Sequence, residues 1–319
     1  MKQQAKNNEI EFDVGIVNFK NDQILNIKGL LVEFNVYEDI FSPVVKADFL
    51  IKDSLGLTEI FPIVGDERII LSFKTVGERR NLNFIFDVYK TTQRTILEER
   101  SHGYVLHGIS RHGIQDLQST VEKAYVNQPI SDIVNSVFTD KLLPAGTKGL
   151  ITEETAGLHT FIGTKQTPFD FINLLGSEAK SAEYPETSTF VFYEDRDSFR
   201  FRSLSSMFEE VVVDDFYLAD PSDEKLRNNR EGIKSYQSII GITFETGFDT
   251  LSGLQNGLYK NNVQVLDTVL KKYTSTDFNY NEEFDTLYHI SNNKLISDRG
   301  AIGTGGEPSH TRFLSSRIG

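Results

Sequence analysis

Histidine is the side chain most suited to binding a metal or moving a proton near neutral pH, and this chain has six. His102, His107 and His112 lie five residues apart, so in a strand the middle one faces away from the other two. No His-Glu-x-x-His sequence and no aspartate-rich calcium loop occur, and cysteine is absent. The sequence therefore predicts histidines of ordinary strand and turn type, with no metal site and no cofactor.

Two glycine-containing stretches resemble catalytic loops without meeting their requirements. Residues 300–307 (GAIGTGGE) have glycine and glutamate where a phosphate loop needs lysine followed by serine or threonine. Residues 108–113 (GISRHG) miss the Gly-x-Ser-x-Gly spacing of a nucleophile elbow by one residue, and we expect a turn there rather than the helix that this motif requires. Five acidic doublets are scattered along the chain, as is typical of solvated loops: Glu98-Glu99, Glu153-Glu154, Glu209-Glu210, Asp214-Asp215 and Glu282-Glu283. We therefore predict no catalytic residue and a protein that is not an enzyme.

The first third of the chain has the alternation of β-strands. Between Asp13 and Ile109, apolar residues recur at every second position in five or more short runs separated by turn residues. Phenylalanine and tyrosine, which suit a pleated and half-buried surface, total 24 and 12. This pattern predicts a β-barrel or a β-sandwich.

A mixed α and β region follows. The spacing of apolar residues after Pro129 predicts one helix, and Thr167-Pro168 with Asp170 predicts the capped start of another. Residues 143–166 between them are a long loop or a weak strand pair, and residues 189–193 and 199–204 form a predicted hairpin. The middle of the chain is therefore a small α+β domain.

After Ser205 the alternation of strands returns, at residues 236–244 and 263–269. Residues 292–319 are glycine-rich and have little that could build a core, so we expect them to be either mobile or ordered only by a partner. The predicted domains are a first barrel at residues 1–125, an α+β domain at 126–205, and a second barrel with a tail at 206–319.

Charge and hydropathy exclude several classes of protein. The 319 residues have 33 basic and 46 acidic side chains, a formal charge of −13, which argues against a general nucleic-acid binder. No apolar run approaches the roughly 20 residues that cross a bilayer, so no membrane insertion is expected. No secretory signal is visible, which predicts assembly in a cytoplasm.

Several short motifs, in order, resemble the central baseplate hub proteins of contractile-tailed, T-even-like phages. More distantly, they resemble the N-terminal hub region of type VI secretion VgrG spike proteins. The motifs in the barrel and the α+β region are residues 34–43 (FNVYEDIFSP), 61–73 (FPIVGDERIILSF), 166–172 (QTPFDFI), 190–194 (FVFYE) and 199–204 (FRFRSL). Those in the last third are residues 257–259 (GLY), Asp267, Tyr273, Phe278 and Tyr280. The resemblance runs from about Val14 to Tyr288, and no lysozyme or peptidase pattern accompanies it.

The resemblance implies a homotrimeric ring in the tail baseplate of a virion, with two tail-tube-like β-barrels and a small α+β domain per subunit. Such a ring adapts a six-fold tail tube to a three-fold central spike. Its implied partners are the spike protein, tail tube or tube-initiator proteins and the end of a tape-measure protein, and DNA passes through its lumen without specific binding. The alternatives are a hub of a phage-tail-like particle, of type VI secretion or bacteriocin type, and a cell-wall hydrolase.

Two adjacent arginines are candidate interface residues. Arg79 and Arg80 follow Gly77 and Glu78 between two strongly alternating strands. The sequence leaves two interpretations open, a solvated hairpin tip or a contact with an acidic partner surface.

Overall fold

The computed structural model describes residues 10–19, 23–57, 61–76, 80–98, 101–146, 148–184, 189–213, 215–218, 238–239, 243, 249–268, 271–289, 294, 296 and 310–315. The chain divides into two compact units, Met1–Ile240 and Gly241–Gly319. The predicted fold class, mainly β with helices concentrated in the middle of the chain, is confirmed. The division into three domains at residues 125/126 and 205/206 stays a prediction.

The first unit begins with a sheet of seven antiparallel strands. They are β1 Ile10–Asn18, β2 Gln23–Asn26, β3 Leu31–Tyr37, β4 Lys46–Asp53, β5 Glu67–Thr75, β6 Leu82–Glu98 and β7 Ser101–Ile109. The strand order is β2-β1-β5-β6-β7-β4-β3. The predicted alternation is seen in β4, where Ala47, Phe49 and Ile51 are buried while Lys46 and Lys52 are exposed. One face of the sheet therefore encloses a core and the other is its outer face.

The sheet is strongly curled. In a flat sheet, β1 and β3 would lie about 24 Å apart, because four strands separate them and strands are spaced by about 4.8 Å. Instead, the rings of Phe12 in β1 and Phe34 in β3 have centroids 5.8 Å apart. The backbone of residues 27–30 also spans the gap, donating to Val14 O over 3.1 Å and accepting from Lys52 N over 2.8 Å. The two ends of the sheet thus meet around a shared core, as in a half-barrel.

An α+β module follows β7 and has its own hydrophobic core. Its helices are α1 Arg111–Leu117, α2 Ile130–Val137, α3 Pro168–Glu178 and α4 Leu204–Phe208, and α2 continues through a π turn, Phe138–Leu142, and a 3-10 turn, Leu143–Ala145. Its strands are β8 Ala124–Gln128, β9 Leu150–Thr152, β10 His159–Ile162, β11 Phe190–Glu194 and β12 Phe199–Ser203. They form the pair β10-β8 and the sheet β11-β12-β9.

Two local predictions in this module are confirmed. Thr167 caps α3, because its hydroxyl oxygen accepts a hydrogen bond from Asp170 N over 3.3 Å with Pro168 in the first turn. The hairpin of β11 and β12 forms with Phe190 opposite Ser203. The strands in residues 143–166 do not pair with each other, however; β9 pairs with β12 and β10 pairs with β8.

The prediction that a turn, and no helix, follows β7 is wrong, because α1 begins at Arg111 directly after the strand. This helix has only seven residues, contains Gly113 and has no side-chain cap, so its sequence has little helical signal. Tertiary packing stabilises it instead. Its buried Asp116 accepts a hydrogen bond from Phe169 N, at the start of α3, over 2.7 Å.

The first unit also contains a short parallel pair, β13 Tyr217–Leu218 with β14 Ser238–Ile239. The second unit has helices α5 Thr250–Gln255 and α6 Tyr280–Glu283, with strands β15 Lys260–Asp267, β16 Lys272–Asn279 and β17 His310–Ser315 in the order β16-β15-β17. Most of the alternation predicted at residues 236–244 lies outside the described residues, so the second barrel stays a prediction. No helix in the described part of the chain combines the length and apolar content needed to span a bilayer.

The expectation for the C-terminal tail is wrong at one place. Residues 310–315 form β17, which pairs in parallel with β15 of the same chain, with Asn261 opposite His310. A partner is therefore not required to order this segment. Its sequence, HTRFLS, has no strict alternation, and its partner strand lies about 50 residues earlier, so only the fold brings them together. The glycines at residues 300–306 lie outside the described residues.

Candidate assembly surfaces

A buried carboxylate joins the sheet to the α+β module. Glu194, at the end of β11, is 1% exposed and accepts hydrogen bonds from Val45 N over 3.0 Å and from Lys148 Nζ over 2.8 Å. Lys148 also donates to Asp195 O over 2.7 Å. Because a buried carboxylate without partners is very costly, these contacts favour one relative position of Val45 and β11. We call this group the junction cluster.

The turn after Glu194 is held by a second carboxylate. Asp195 accepts hydrogen bonds from Ser198 N over 2.6 Å and from Arg200 Nε over 2.5 Å. Burial would raise the pKa of Asp195, but its hydrogen bonds with Arg200, Ser198 and Asp197 outweigh burial and hold the pKa below its ordinary value. The turn that presents Arg196 and Asp197 is therefore preorganised.

One of the two predicted interface arginines lies at this turn. Arg80 Nη2 is 3.2 Å from Asp197 Oδ1, and the two side chains are 71% and 55% exposed. Asp197 also pairs with Arg196 over 2.6 Å. Exposed pairs of this kind contribute little stability. Because most of the Arg80 side chain is exposed, it is accessible to another contact as well. Arg79 lies outside the described residues, and the partner contact of both arginines stays a prediction.

A cleft of about 470 Å³ opens beside the junction cluster. Four cationic and two anionic side chains line it, together with apolar groups such as Ile85 and Phe86. The cations are Arg68, Arg111, Lys148 and Arg196, and the anions are Glu194 and Asp197. A neighbouring cleft of about 410 Å³ shares Arg68 and Arg111. We call the first of these the basic cleft.

His112 of α1 lies in the wall of the basic cleft. The side chain is 4% exposed, and its ring meets Phe199 edge-on with centroids 4.7 Å apart. Burial lowers the pKa of His112, more than the nearby Glu194 carboxylate raises it, which favours the neutral ring. Its Nε2 and the hydroxyl of Ser110 have no hydrogen-bond partner in the described part of the chain.

A different histidine belongs to a hydrogen-bonded chain on the outer face of the sheet. His107 Nδ1 lies 2.6 Å from Asp48 Oδ1, and its Nε2 lies 2.6 Å from Thr92 Oγ1. Tyr37 donates to the other Asp48 oxygen over 3.3 Å. The order carboxylate, imidazole, hydroxyl is the order found in hydrolase triads. Here the three groups belong to the neighbouring strands β4, β7 and β6, and they cross-link those strands.

Apolar side chains are exposed on the same outer face. Ile24, Ile70 and Ile85 are 73%, 42% and 54% exposed, and Ile70 lies opposite Ile85 in the ladder of β5 and β6. Gly15 lies opposite Ile70 in β1, and a Cβ at Gly15 would be 3.8 Å from the Ile24 side chain. An apolar row therefore crosses four strands, which is typical of a surface that another protein covers.

Sequence reasoning missed the junction cluster and the His107 chain. The sequence did contain a signal for Glu194. It follows the buried Phe190 and Phe192 at alternate positions of β11, and alternate residues of a strand point to the same face, so Glu194 must point inward. No such signal marks Asp48 and His107, which are 59 residues apart and meet only through the register of β4 and β7. His102 and His107 face opposite sides, as their spacing predicted. The described residues contain no group of three or more potential metal ligands.

No protein-family model matches the chain. A curated relative is 24% identical to it over 293 residues, which cover 89% of this chain, and is described as the probable baseplate hub protein gp334 of Vibrio phage KVP40. The chain is similar to a phage baseplate hub protein. It spans 64% of the length of that relative, which is less than two thirds. The resemblance predicted from the motifs is confirmed, and the relative agrees with the predicted location in a virion tail baseplate.

The chain is similar to several solved structures at low sequence identity. The prophage tail protein gp18 of Listeria monocytogenes has a TM-score of 0.50 and 8% identity, covering 95% of this chain and 72% of that one. A tail protein of Neisseria meningitidis has a TM-score of 0.48 and 8% identity, with 96% and 71% covered. A Francisella PdpA–VgrG complex has a TM-score of 0.47 and 12% identity, with 98% and 45% covered. Of these three, the Listeria protein reaches a TM-score that shows a shared fold.

Proposed function

We propose that this protein is a structural hub of a phage tail baseplate. Three copies form a ring on the tail axis that joins the six-fold tail tube to the three-fold central spike and lines the exit channel of the DNA. The observation that carries the proposal is the similarity to a baseplate hub protein along 89% of this chain. The fold shared with a prophage tail protein supports it.

The ring resolves a mismatch of symmetry. With two barrels in each subunit, three copies present six similar surfaces to the tube and three identical sites to the spike. The two barrels differ in sequence, so the ring is only pseudo-six-fold and the tube layer meets two alternating contacts. The remaining partners are tail tube or tube-initiator proteins and the C-terminus of the tape-measure protein.

The acidic charge suits the passage of DNA. Each copy has a formal charge of −13, so three copies have 3 × −13 = −39. A lumen surrounded by like charge repels the phosphates of DNA and keeps it from adhering. The protein thus guides DNA without binding it specifically.

Cryo-electron microscopy of the assembled tail tip tests the proposal. We expect three copies on the axis, directly between the tube and the spike. Two copies, six copies or a peripheral position would overturn the ring. If the protein is instead a hub of a type VI or bacteriocin-type particle, we expect the same ring with no DNA in the channel. Density for DNA in the lumen distinguishes the phage hub from this alternative.

The hydrolase alternative has its own test at the His107 chain, because that chain is the arrangement nearest to catalytic geometry. Purified protein is incubated with peptidoglycan and with ester substrates, beside the Thr92→Val variant. We expect no turnover by either protein. Turnover by the wild type that Thr92→Val abolishes would replace the structural proposal with an enzymatic one.

A further inference from the structure

The strand β6 has an open edge inside the basic cleft. On one side, its residues 82–86 pair with residues 69–73 of β5. On the other side, the ladder with β7 begins only at Asp87, which lies opposite Ile109, the last residue of β7. Within the described residues, β6 therefore has no ladder partner on this side before Asp87. We call residues 83–86 the open edge.

The lining of the cleft shows that this edge faces it. Asn83, Phe84, Ile85 and Phe86 all line the cleft, although successive side chains of a strand point to opposite faces of the sheet. Four consecutive residues line one cavity where the edge between the two faces borders it. At alternate residues of such an edge, the backbone N–H and C=O groups point away from the paired strand, which makes the edge a template for another strand.

The surroundings of the open edge specify the side chains of an added strand. On the outer face, a residue beside Ile85 meets a side chain that is 54% exposed. On the inner face, a residue beside Phe84 or Phe86 meets a buried ring, and Val45 lines the same cleft. Directly opposite side chains of neighbouring strands lie about 4.5–5.5 Å apart and interact, so apolar residues are favoured on both faces.

One end of the open edge has a cation without a partner. Arg111 lines the cleft two residues after Ile109, beside the Phe86 end of the edge. The other three cations of the cleft pair with carboxylates of this chain, whereas Arg111 is exposed and has no ion-pair partner within the described residues. A guanidinium donates two parallel hydrogen bonds to a carboxylate, so this end of the cleft fits one Asp or Glu side chain.

The exposed apolar segment of this chain does not supply that carboxylate. Residues 211–213 (VVV) are the only run of three exposed large apolar residues in the described part of the chain, and they belong to no helix or strand. The adjacent Glu210 already pairs with Arg202, and Glu209 has interactions of its own. We therefore assign the strand that fits the open edge to another protein.

We propose that an extended segment of another tail protein adds to the open edge of β6 in the basic cleft. The segment has apolar residues beside Ile85 and Phe86 and a carboxylate that binds Arg111. The proposal rests on the proposed function, since it names a contact by which the hub holds a second protein of the tail. It requires no contact between copies of the hub.

Photo-cross-linking in assembled tail tips identifies the occupant. A photoreactive phenylalanine analogue is incorporated in place of Asn83, which lines the cleft, and in place of the exposed Val126 on β8 as the matched control. We expect position 83 to cross-link a segment of another tail protein in which apolar residues adjoin an acidic one, and position 126 not to cross-link that segment. A cross-link only to a second copy of this chain, or none at all, would overturn the proposal.

A synthetic peptide of the cross-linked segment tests the charged contact on the purified protein. We expect Arg111→Glu to weaken binding at least tenfold in fluorescence anisotropy, and a peptide with lysine in place of its acidic residue to restore it. Lys180→Glu changes an exposed lysine outside the cleft and should bind the peptide like the wild type. Unchanged binding by Arg111→Glu would overturn the proposal.

Methylation of the peptide backbone distinguishes strand addition from other modes of binding. Only alternate N–H groups of an added strand point to its neighbour, so N-methylation should weaken binding at least tenfold at one residue and have little effect at the next. Alternate amides of the open edge should also exchange hydrogen more slowly when the peptide is bound. Equal effects of the two methylations, with unchanged hydrogen exchange, would refute strand addition.

Cryo-electron microscopy of the tail tip separates this proposal from the proposed function. Three copies on the axis, with no cross-link from position 83 to another protein, would refute strand addition and leave the hub ring standing. A tail tip without this protein on its axis would refute the hub itself.

Discussion

Glu194 shows how one side chain couples two parts of the first unit. Its carboxylate accepts from Val45 N, directly before β4, and from Lys148 of the α+β module, and it is almost completely buried. Removing a buried carboxylate leaves its buried backbone donor without an acceptor, which is more damaging than removing an exposed pair. The two kinds of pair occur side by side here, which allows a direct comparison.

We expect Glu194→Ala to lower the free energy of unfolding by about 1–3 kcal/mol, because the buried Val45 N then loses its acceptor, while Lys148 keeps its bond to Asp195 O. Denaturant unfolding followed by circular dichroism measures the change. Asp197→Ala is the matched control, since it removes an exposed carboxylate three residues away, and it should leave the free energy of unfolding nearly unchanged. Equal costs for the two variants would contradict the structural role assigned to the junction cluster.

Glu153 predicts a pH dependence of stability. Burial alone would raise its pKa, but hydrogen bonds from the hydroxyl of Ser181 (2.6 Å) and from Ser203 N (2.7 Å) lower the pKa below its ordinary value in the folded protein. A group whose pKa is depressed on folding stabilises the protein above its unfolded pKa, and this contribution is lost as the pH falls through the folded pKa. We expect stability to fall on acidification below about pH 4.5.

The Glu153→Gln variant isolates this contribution. Its melting temperature should be lower than that of the wild type at pH 7, and the difference should shrink as the pH is lowered from 5 towards 3, because both proteins then have an uncharged group at this position. Thermal unfolding at a series of pH values measures it. A constant difference across this range would show that the charge of Glu153 does not contribute.

At the scale of elements, close packing between neighbouring strands sets the curl of the first sheet. Gly108 in β7 faces the core, and a Cβ there would lie 2.7 Å from Phe86 Cβ in β6, nearer than real Cβ atoms approach. The Phe86 ring in turn meets Phe49 of β4 at 5.9 Å. Gly108 thus allows β6, β7 and β4 to place two large rings in a tightly curved core.

We expect Gly108→Ala to lower the free energy of unfolding by about 1–3 kcal/mol, because the added methyl group overpacks the core and pushes β6 away from β7. Gly149→Ala is the matched control, since a Cβ at Gly149 meets nothing within 4 Å. It should leave stability unchanged or raise it slightly. Chemical denaturation of both variants is the measurement, and a neutral Gly108→Ala would show that the sheet relaxes without cost.

At the scale of the whole molecule, the candidate assembly surfaces are those that folding leaves exposed. They are the apolar row on the outer face of the sheet, the basic cleft, and Arg80 before β6. Arg80 reaches Asp197 within the same chain, so an effect of its substitution on assembly has two explanations. A charge swap distinguishes the internal pair from a contact with a partner.

We expect Arg79→Glu with Arg80→Glu to weaken ring or tube assembly without lowering the melting temperature of the isolated subunit, because exposed pairs add little stability. Adding Asp197→Lys restores the pair between residues 80 and 197 with reversed charges. Assembly should remain weak in this triple variant if an acidic partner surface is the contact, and electron microscopy of assembled tips measures it. Recovery of assembly would assign the effect to the internal pair.

The local periodicities of the sequence determined most elements of the first unit. The two-residue alternation before Ile109 specified inward and outward faces, and the Thr167-Pro168 start of α3 and the β11–β12 hairpin formed as predicted. These features depend on backbone geometry and on neighbours within a few residues. The ordered motifs were also sufficient to indicate the hub resemblance.

Tertiary structure alone decided the contacts between distant residues. Helix α1 has too little helical signal to form by itself and depends on the bond between Asp116 and Phe169. The pairing of β17 with β15, the meeting of Asp48 with His107, and the Glu194 bond to Val45, 149 residues away, depend on strand register and on the curl of the sheet. No local pattern encodes these contacts, because many distant pairings satisfy the same alternation and only simultaneous packing of the whole chain selects one.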